Sequence, residues 1–336
     1  MTESFFTIGA ETRLRKDNIL LKLNKLIDWD RIARKLKGLH KNEVNPKGGP
    51  IAYEPIKMFK SILLGQWYSL SDPALEESIQ VRIDFMFFTG FEISDKLPDE
   101  TTFCRFRNKL IDLGLIDNLF ADINLQLEGI GLKIRECEGA IIDATIIESC
   151  ARPRKTVKVI PEDRNEDELD SACSTSYSND PDARWLKKGK KTYFGYKGYI
   201  RTDSADSFIE KAHVTPANKS ECKELGKMTE DRKQGRISTD KGYASAENRK
   251  LLKRRGLKDG IMSKASRGKP LSSKQLLRNK LISRHRYKVE QCFGTLKRKF
   301  QIGRARYRGL KKVYGELCLK SICFNLNKAL RMIKFA

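Results

Sequence analysis

Three acids sit where a carboxylate has chemical work available. Asp143 interrupts the apolar run AIIDATII (140–147), Asp240 follows the strand-like RIST (236–239), and Glu290 is the one acid in RYKVEQCFGTLKRK (286–299). A charge inside a buried strand is costly unless something compensates it. An acid at the carboxyl end of a strand in an α/β sheet lies where ligand sites form. On a helix, Arg286, Glu290, Phe293 and Lys297 fall within about 60° of one another, which puts Glu290 at the edge of the packed face. Three inward acids from two strands and a helix would suit a pair of divalent cations. Mg²⁺ takes carboxylates together with water and phosphate oxygens, and two such ions about 3.5–4 Å apart clamp the attacking and leaving oxygens of a phosphodiester. Each acid also has a plainer reading. Asp143 and Asp240 could be turn acids, and Glu290 one arm of an i,i+4 pair with Arg286. Glu148, Asp203 and Asp206 compete on spacing alone.

The charge around Glu290 points to the substrate class. Residues 241–336 hold 28 Lys plus Arg and 4 acids, a surplus equal to the whole chain's net charge of +24; residues 1–240 are balanced. So one-sided a field expects a polyanion, and nucleic acid is the class that fits. Lys288, Arg298 and Lys299 point away from the packed face of their helix and offer themselves to phosphate. Arg286 and Lys297, beside Glu290, are placed to hold phosphate near the carboxylates: Arg suits bidentate contact, Lys a point charge.

The elements that must position these groups follow from periodicity. Residues 14–36 carry apolar residues at helical spacing, with Asp17 or Asn18 as a cap; 53–70 read as a second helix, and 42–50 as a Gly/Pro break. Ser71 caps the helix that begins SDPALEESIQ, and Asp99 to Thr101 open another, whose stripe is Phe103, Phe106 and Leu110. Arg105, Arg107 and Lys109 lie mostly off that stripe, which makes this helix the candidate reader of DNA in a loose helix-turn-helix-like pair. From 134 the pattern changes to strand, strand, strand, helix, strand, helix, strand, helix: a mixed α/β domain. The polar stretch 150–183 reads as a long loop. Tyr193, Phe194 and Tyr196, in a strand, and Trp185 before it could stack on unpaired bases, though strand packing is the plainer role. No apolar run of membrane-spanning length exists. Eight scattered cysteines without a CxxC pair, and three histidines, argue against zinc and for a reduced cytosolic protein. His213 reads as a hydrogen-bonding residue; His40 and His285 read as solvated.

Taken together, IAYEPIKMFKSILLGQWYSLSDPALEESI, LPDETTFCRFRNKL, IIDATII, DPDARWLKKGKKTYFGYKGY, HVTPANKSE, STDKGYAS and RYKVEQCFGTLKR resemble the DDE transposases of bacterial insertion sequences, over nearly the whole chain. The resemblance implies an RNase H-like catalytic core with an N-terminal all-α domain. It implies Asp143, Asp240 and Glu290 as catalytic, metal-holding acids, with two Mg²⁺ ions for which Mn²⁺ substitutes. The family's Tyr-x2-Arg-x3-Glu-x6-Lys signature is matched by Arg286, Glu290 and Lys297, but Ser283 stands at the tyrosine position. About 50 residues separate Asp240 from Glu290, too few for the inserted β domain of some relatives. The implied activity is cleavage at the element's ends to free a 3′-OH, which then attacks target DNA. The implied partners are double-stranded DNA, as terminal inverted repeats and as target, and a second copy of the chain. Lys241 and Tyr243, in the turn after Asp240, complete the residues assigned to DNA, with Arg286, Lys297, Arg298, Lys299, Arg105, Arg107 and Lys109. The expected organisation is a helical DNA-binding or dimerisation domain (1–133), the catalytic domain (134–310) and a basic helical tail (311–336), in the cytoplasm. A DNA-binding relative without chemistry, or a nuclease of the same fold that cuts without joining, remain as alternatives.

Overall fold

The periodic stretch 14–36 forms two helices. Asn18 accepts from the Leu20 N–H (2.8 Å) and starts α1 (Ile19–Leu26), and Asp28 accepts from the Arg31 N–H (3.0 Å) and starts α2 (Trp29–Leu36). A short acidic side chain there competes for backbone N–H groups, so it caps a new helix instead of continuing the old one. This computed structural model describes Gly9 and residues 12–15, 17–39, 52–132, 139–151, 155–158, 174–177 and 179–333. The Gly/Pro break at 42–50, His40 and the proposed 133/134 boundary lie outside the described residues.

The helical region continues with α3 (Pro55–Trp67), α4 (Asp72–Val81), α5 (Ile83–Thr89), α6 (Glu100–Asp112) and α7 (Leu115–Gly129). The expected caps form: Ser71 accepts from the Ala74 N–H, and Asp99 from the Thr102 N–H. Because α5 occupies the connection between α4 and α6, the two do not form a simple helix-turn-helix pair.

The sheet holds β1 (Gly139–Glu148), β4 (Arg184–Lys188), β5 (Lys191–Asp203), β6 (Ile209–Pro216), β7 (Arg236–Thr239) and β8 (Lys258–Ile261). β5 runs antiparallel to β1, β4 and β6, while β7 is parallel to both β1 and β8. The order β6-β5-β1-β7-β8 is the RNase H-like arrangement, and β1 sits at its centre. The crossover helices α8 (Leu225–Met228) and α9 (Ala246–Arg254) lead into β7 and β8, followed by α10 (Ser273–Arg298) and α11 (Leu310–Met332). The expected long loop 150–183 contains a second, two-stranded sheet, β2 (Lys155–Lys158) with β3 (Ser174–Tyr177). Among the described residues no helix is long and apolar enough to cross a membrane.

β1 faces two cores. Ala140 and Ile142 join a small cluster with Tyr199, Ile237, Tyr243 and Leu252. Ile141 and Ile147 join a large one that runs without a break into the N-terminal helices. The bridge is α11. The sequence of this basic tail reads as closing in an apolar helix, and nearly every residue from Val313 to Leu330 is buried, including the ion pair Lys320–Glu316. The helical region and the sheet therefore share one core.

Arg107 is buried, with a bidentate ion pair to Asp72 (2.7 and 2.8 Å) and its guanidinium 4.0 Å from the Tyr307 ring centre. It ties α6 to α4 and to the chain after α10, which removes it from the residues assigned to DNA. Arg105, two residues earlier and on the other side of the helix, is exposed. Breaking a buried pair strands its partner, so Arg107→Ala should lower unfolding free energy by about 3 kcal/mol. Arg105→Ala should be near neutral, both read from denaturant midpoints by circular dichroism.

Candidate active site

Parallel pairing of β1 with β7 places Ile141 opposite Ser238. Two residues further along each chain stand Asp143 and Asp240, side by side on the sheet face that α10 covers. Asp143 is half-buried. Its Oδ1 accepts from the Ala144 N–H (2.9 Å) and its Oδ2 from Arg286 Nη2 on α10 (3.0 Å). Burial raises the Asp143 pKa and the nearby Asp240 charge adds to that, while Arg286 opposes both. Asp240 caps the short turn Lys241–Tyr243, its Oδ1 accepting from the Gly242 N–H (2.6 Å).

Glu290 lies one turn beyond Arg286 and is exposed, while Val289, Cys292, Phe293 and Leu296 fix its helix to the sheet. It lines a cavity of about 640 Å³ with Thr145, Glu148, Lys188, Tyr193 and Lys297. The structure thus brings Asp143, Asp240 and Arg286 together and sets Glu290 in a groove that also carries Glu148, Lys188 and Lys297. Among the described residues no three His, Cys, Asp or Glu side chains close on a point that could hold a metal ion. The donor chemistry nevertheless fits a hard divalent cation: oxygen donors only, with two adjacent aspartates whose like charges favour a cation between them. In this structure the counter-charge on Asp143 comes from Arg286.

The competing acids resolve by their partners. Asp203 is buried and accepts the N–H groups of Asp206, Ser207 and Phe208, a turn-forming role. Glu148 is exposed at the Glu290 cavity. His213 faces Glu224 (3.2 Å) and stacks on Tyr199, and His285 is exposed.

The residues assigned to DNA divide. Lys297, Arg298, Lys241 and Arg105 are exposed, and Lys109 is half-buried. Lys299 turns inward: its Nζ donates to Asn327 Oδ1, lies over the Trp67 ring (5.1 Å), and has its pKa lowered by burial. Tyr243 is fully buried in the small core and offers DNA no surface. Phe194 and Tyr196 are buried, as strand packing predicts, which leaves Tyr193 at the cavity and a largely exposed Trp185 against Phe194. Ser283, at the family's tyrosine position, is exposed and bonds only to the Lys280 carbonyl among the described contacts. Glu221, close to Asp240, escaped the sequence reading: it sits at the end of HVTPANKSE with no periodicity or apolar run to single it out.

Two family models match the chain: "Transposase domain (DUF772)" over residues 9–109 and "Transposase DDE domain" over residues 137–326. The chain is 44% identical over 229 residues to the transposase for insertion sequence element IS1106 of Neisseria meningitidis serogroup B, covering 68% of this chain and 77% of that protein. Among solved structures it aligns with a piggyBac transposase synaptic complex with hairpin DNA at a TM-score of 0.48 and 12% identity, over 95% of this chain and 76% of that one. With most of its length matched by the DDE model, and a curated relative of this similarity, the chain belongs to the insertion-sequence DDE transposases.

Proposed function

We propose that this transposase binds the inverted-repeat ends of its own element, cleaves a strand there and joins the freed 3′-OH to target DNA, in a reaction that needs Mg²⁺ or Mn²⁺. The observation that carries the reading is the placement of Asp143 beside Asp240 on one sheet face, with Glu290 at the rim of a groove that also bears Lys188 and Lys297. A divalent cation held by these carboxylates would supply charge stabilisation at the phosphodiester, which dominates phosphoryl chemistry. The chain's own residues do the rest. Asp143 and Asp240, on neighbouring strands, offer oxygens from a rigid base. Arg286 opposes the effect of burial on Asp143 in the DNA-free chain, and Lys188 and Lys297 offer point charges to the phosphate backbone. Tyr193, beside them, presents a ring to an unpaired base.

Affinity and specificity fall to different surfaces in this reading. The basic C-terminal third grips phosphates, which carry little sequence information. Reading of the ends falls to α6 through Arg105 and Lys109, with Arg107 serving only to hold α6 in place. The active species is a homodimer or higher oligomer on DNA.

Asp143→Asn, Asp240→Asn and Glu290→Gln should each abolish nicking and joining of end-containing DNA in Mg²⁺ while DNA affinity stays within about threefold. Retained cleavage by any one variant removes that residue from the centre, and retention by all three removes the mechanism. Nicked but never joined products from the wild-type chain would favour a nuclease instead.

Log affinity against log salt should slope at −3 or steeper, since each neutralised phosphate contributes about −0.9. Arg298→Ala should make the slope shallower by about one unit. Lys299→Ala should leave it unchanged, because that ammonium is spent on Asn327 and Trp67. Arg105→Ala should narrow the affinity ratio between end DNA and scrambled DNA, measured by fluorescence anisotropy on the full chain. An unchanged ratio would move end recognition away from α6.

A further inference from the structure

Glu221 has no role in the site so far described, yet it stands within it. It opens the single-turn helix Glu221–Glu224 that follows β6, facing the turn that begins at Asp240. Gly242 shows how close the two acids come. A Cβ built there would lie 2.8 Å from Asp240 Oδ1 and 3.0 Å from Glu221 Oε2, so both oxygens converge on the space beside a residue with no side chain. The other oxygen, Glu221 Oε1, is 3.5 Å from Lys197 Nζ on β5. Glu221 and Lys197 also line a small cavity of about 200 Å³ with Ala144 and Thr145, the two residues after Asp143.

A second, independent observation comes from the core side. Tyr243 is wholly buried, and among the described residues its hydroxyl has no hydrogen-bond partner. Buried polar groups are nearly always satisfied, so an unsatisfied one marks a place where a ligand or its water completes the set. Burial above all, and after it the neighbouring Glu221, Asp143, Tyr199 and Asp240, hold the phenol far above its ordinary range. Tyr243 is therefore a fixed donor behind the same carboxylates.

We propose that Glu221 is a fourth acidic residue of the active centre, sharing a divalent cation with Asp240 through Oε2, with the Tyr243 hydroxyl as the donor behind them. Asp143 is engaged by Arg286 and Glu290 stands out at the rim, so Asp240 and Glu221 form a second pair of oxygens inside the site. The inference rests on the metal-dependent reading given above.

The test uses the full chain and Mn²⁺ alone as the probe, with free Mn²⁺ followed by electron paramagnetic resonance, alongside thermal unfolding and end cleavage. Glu221→Gln should weaken Mn²⁺ affinity about tenfold or more and depress cleavage, as Asp240→Asn does. Glu224→Gln, on His213, should change neither. Lys197→Met should lose the ion pair but keep Mn²⁺ affinity. If Glu221→Gln binds Mn²⁺ normally while Asp240→Asn does not, the inference fails and the metal reading stands. If Glu221→Gln and Lys197→Met lose the same thermal stability with unchanged affinity, Glu221 is only a partner for Lys197. If neither Asp240→Asn nor Glu221→Gln alters Mn²⁺ binding, the metal reading falls with the inference.

Discussion

Asp143 and Asp240 lie half-buried beside one another on one face of the sheet, and two like charges this close repel unless a positive charge reaches them. Asp143 and Asp240 impose that demand, and the fold is arranged to meet it. β1 must lie at the middle of the sheet, so that β7 pairs parallel to it and the two acids fall at matching heights. A helix must then cross that face with a cation on its inner edge, and α10 brings Arg286 to Asp143. Without that contact, burial would drive Asp143 toward its neutral form, and a neutral acid is a poor holder of a metal ion or a phosphate counter-charge.

The position of α10 is itself fixed from several sides. Its buried edge of Ile282, Val289, Cys292, Phe293 and Leu296 sets its rotation, and so keeps Glu290 at the rim. Its end is fixed by the chain that follows: Glu148 donates its N–H to the Gly303 carbonyl and accepts at its own carbonyl from the Ala305 N–H, tying the end of β1 to the loop after α10. That loop is held from below by α11, where Glu316 accepts from the Arg306 N–H and pairs with Lys320 inside the core. A buried ion pair of this kind adds little net stability compared with apolar packing. Its use here is positional, because it fixes a loop on which the height of Glu290 over β1 depends.

How much of this was legible in the sequence follows from the range of each interaction. The caps at Asn18, Ser71 and Asp99 and the β-branched run around Asp143 are local, and local pattern found them. The carboxylates stood out because an acid in an apolar strand, or alone among cations, conflicts with its surroundings. What could not be read was the direction of long side chains. Arg107, Lys299 and Tyr243 look like surface residues in sequence. Their partners are Asp72, 35 residues away, Asn327, 28 residues away, and a core built from six other elements. Nor could β2, β3 and β4 be seen: RWLKK and STSY lack apolar alternation, and their pairing is set by neighbours. Glu221 was hidden for a related reason, since only the approach of two turns at Gly242 puts it beside Asp240.

The +24 surplus and the buried aspartates belong to one electrostatic argument. A basic surface this strong would repel a cation from bulk solvent, so the oxygen edge of Asp240 has to be locally negative to attract one. Glu221 adds a second carboxylate beside that edge, its charge partly offset by Lys197 at 3.5 Å. Around this edge Lys188, Lys297 and Arg298 remain exposed and positive, so an approaching phosphate backbone is drawn first to the rim. In the proposed reaction, phosphate charge arriving there would compete with Asp143 for the guanidinium of Arg286. The side chain that pairs with Asp143 in the DNA-free chain would thus become available to the substrate as the substrate's own charge arrives.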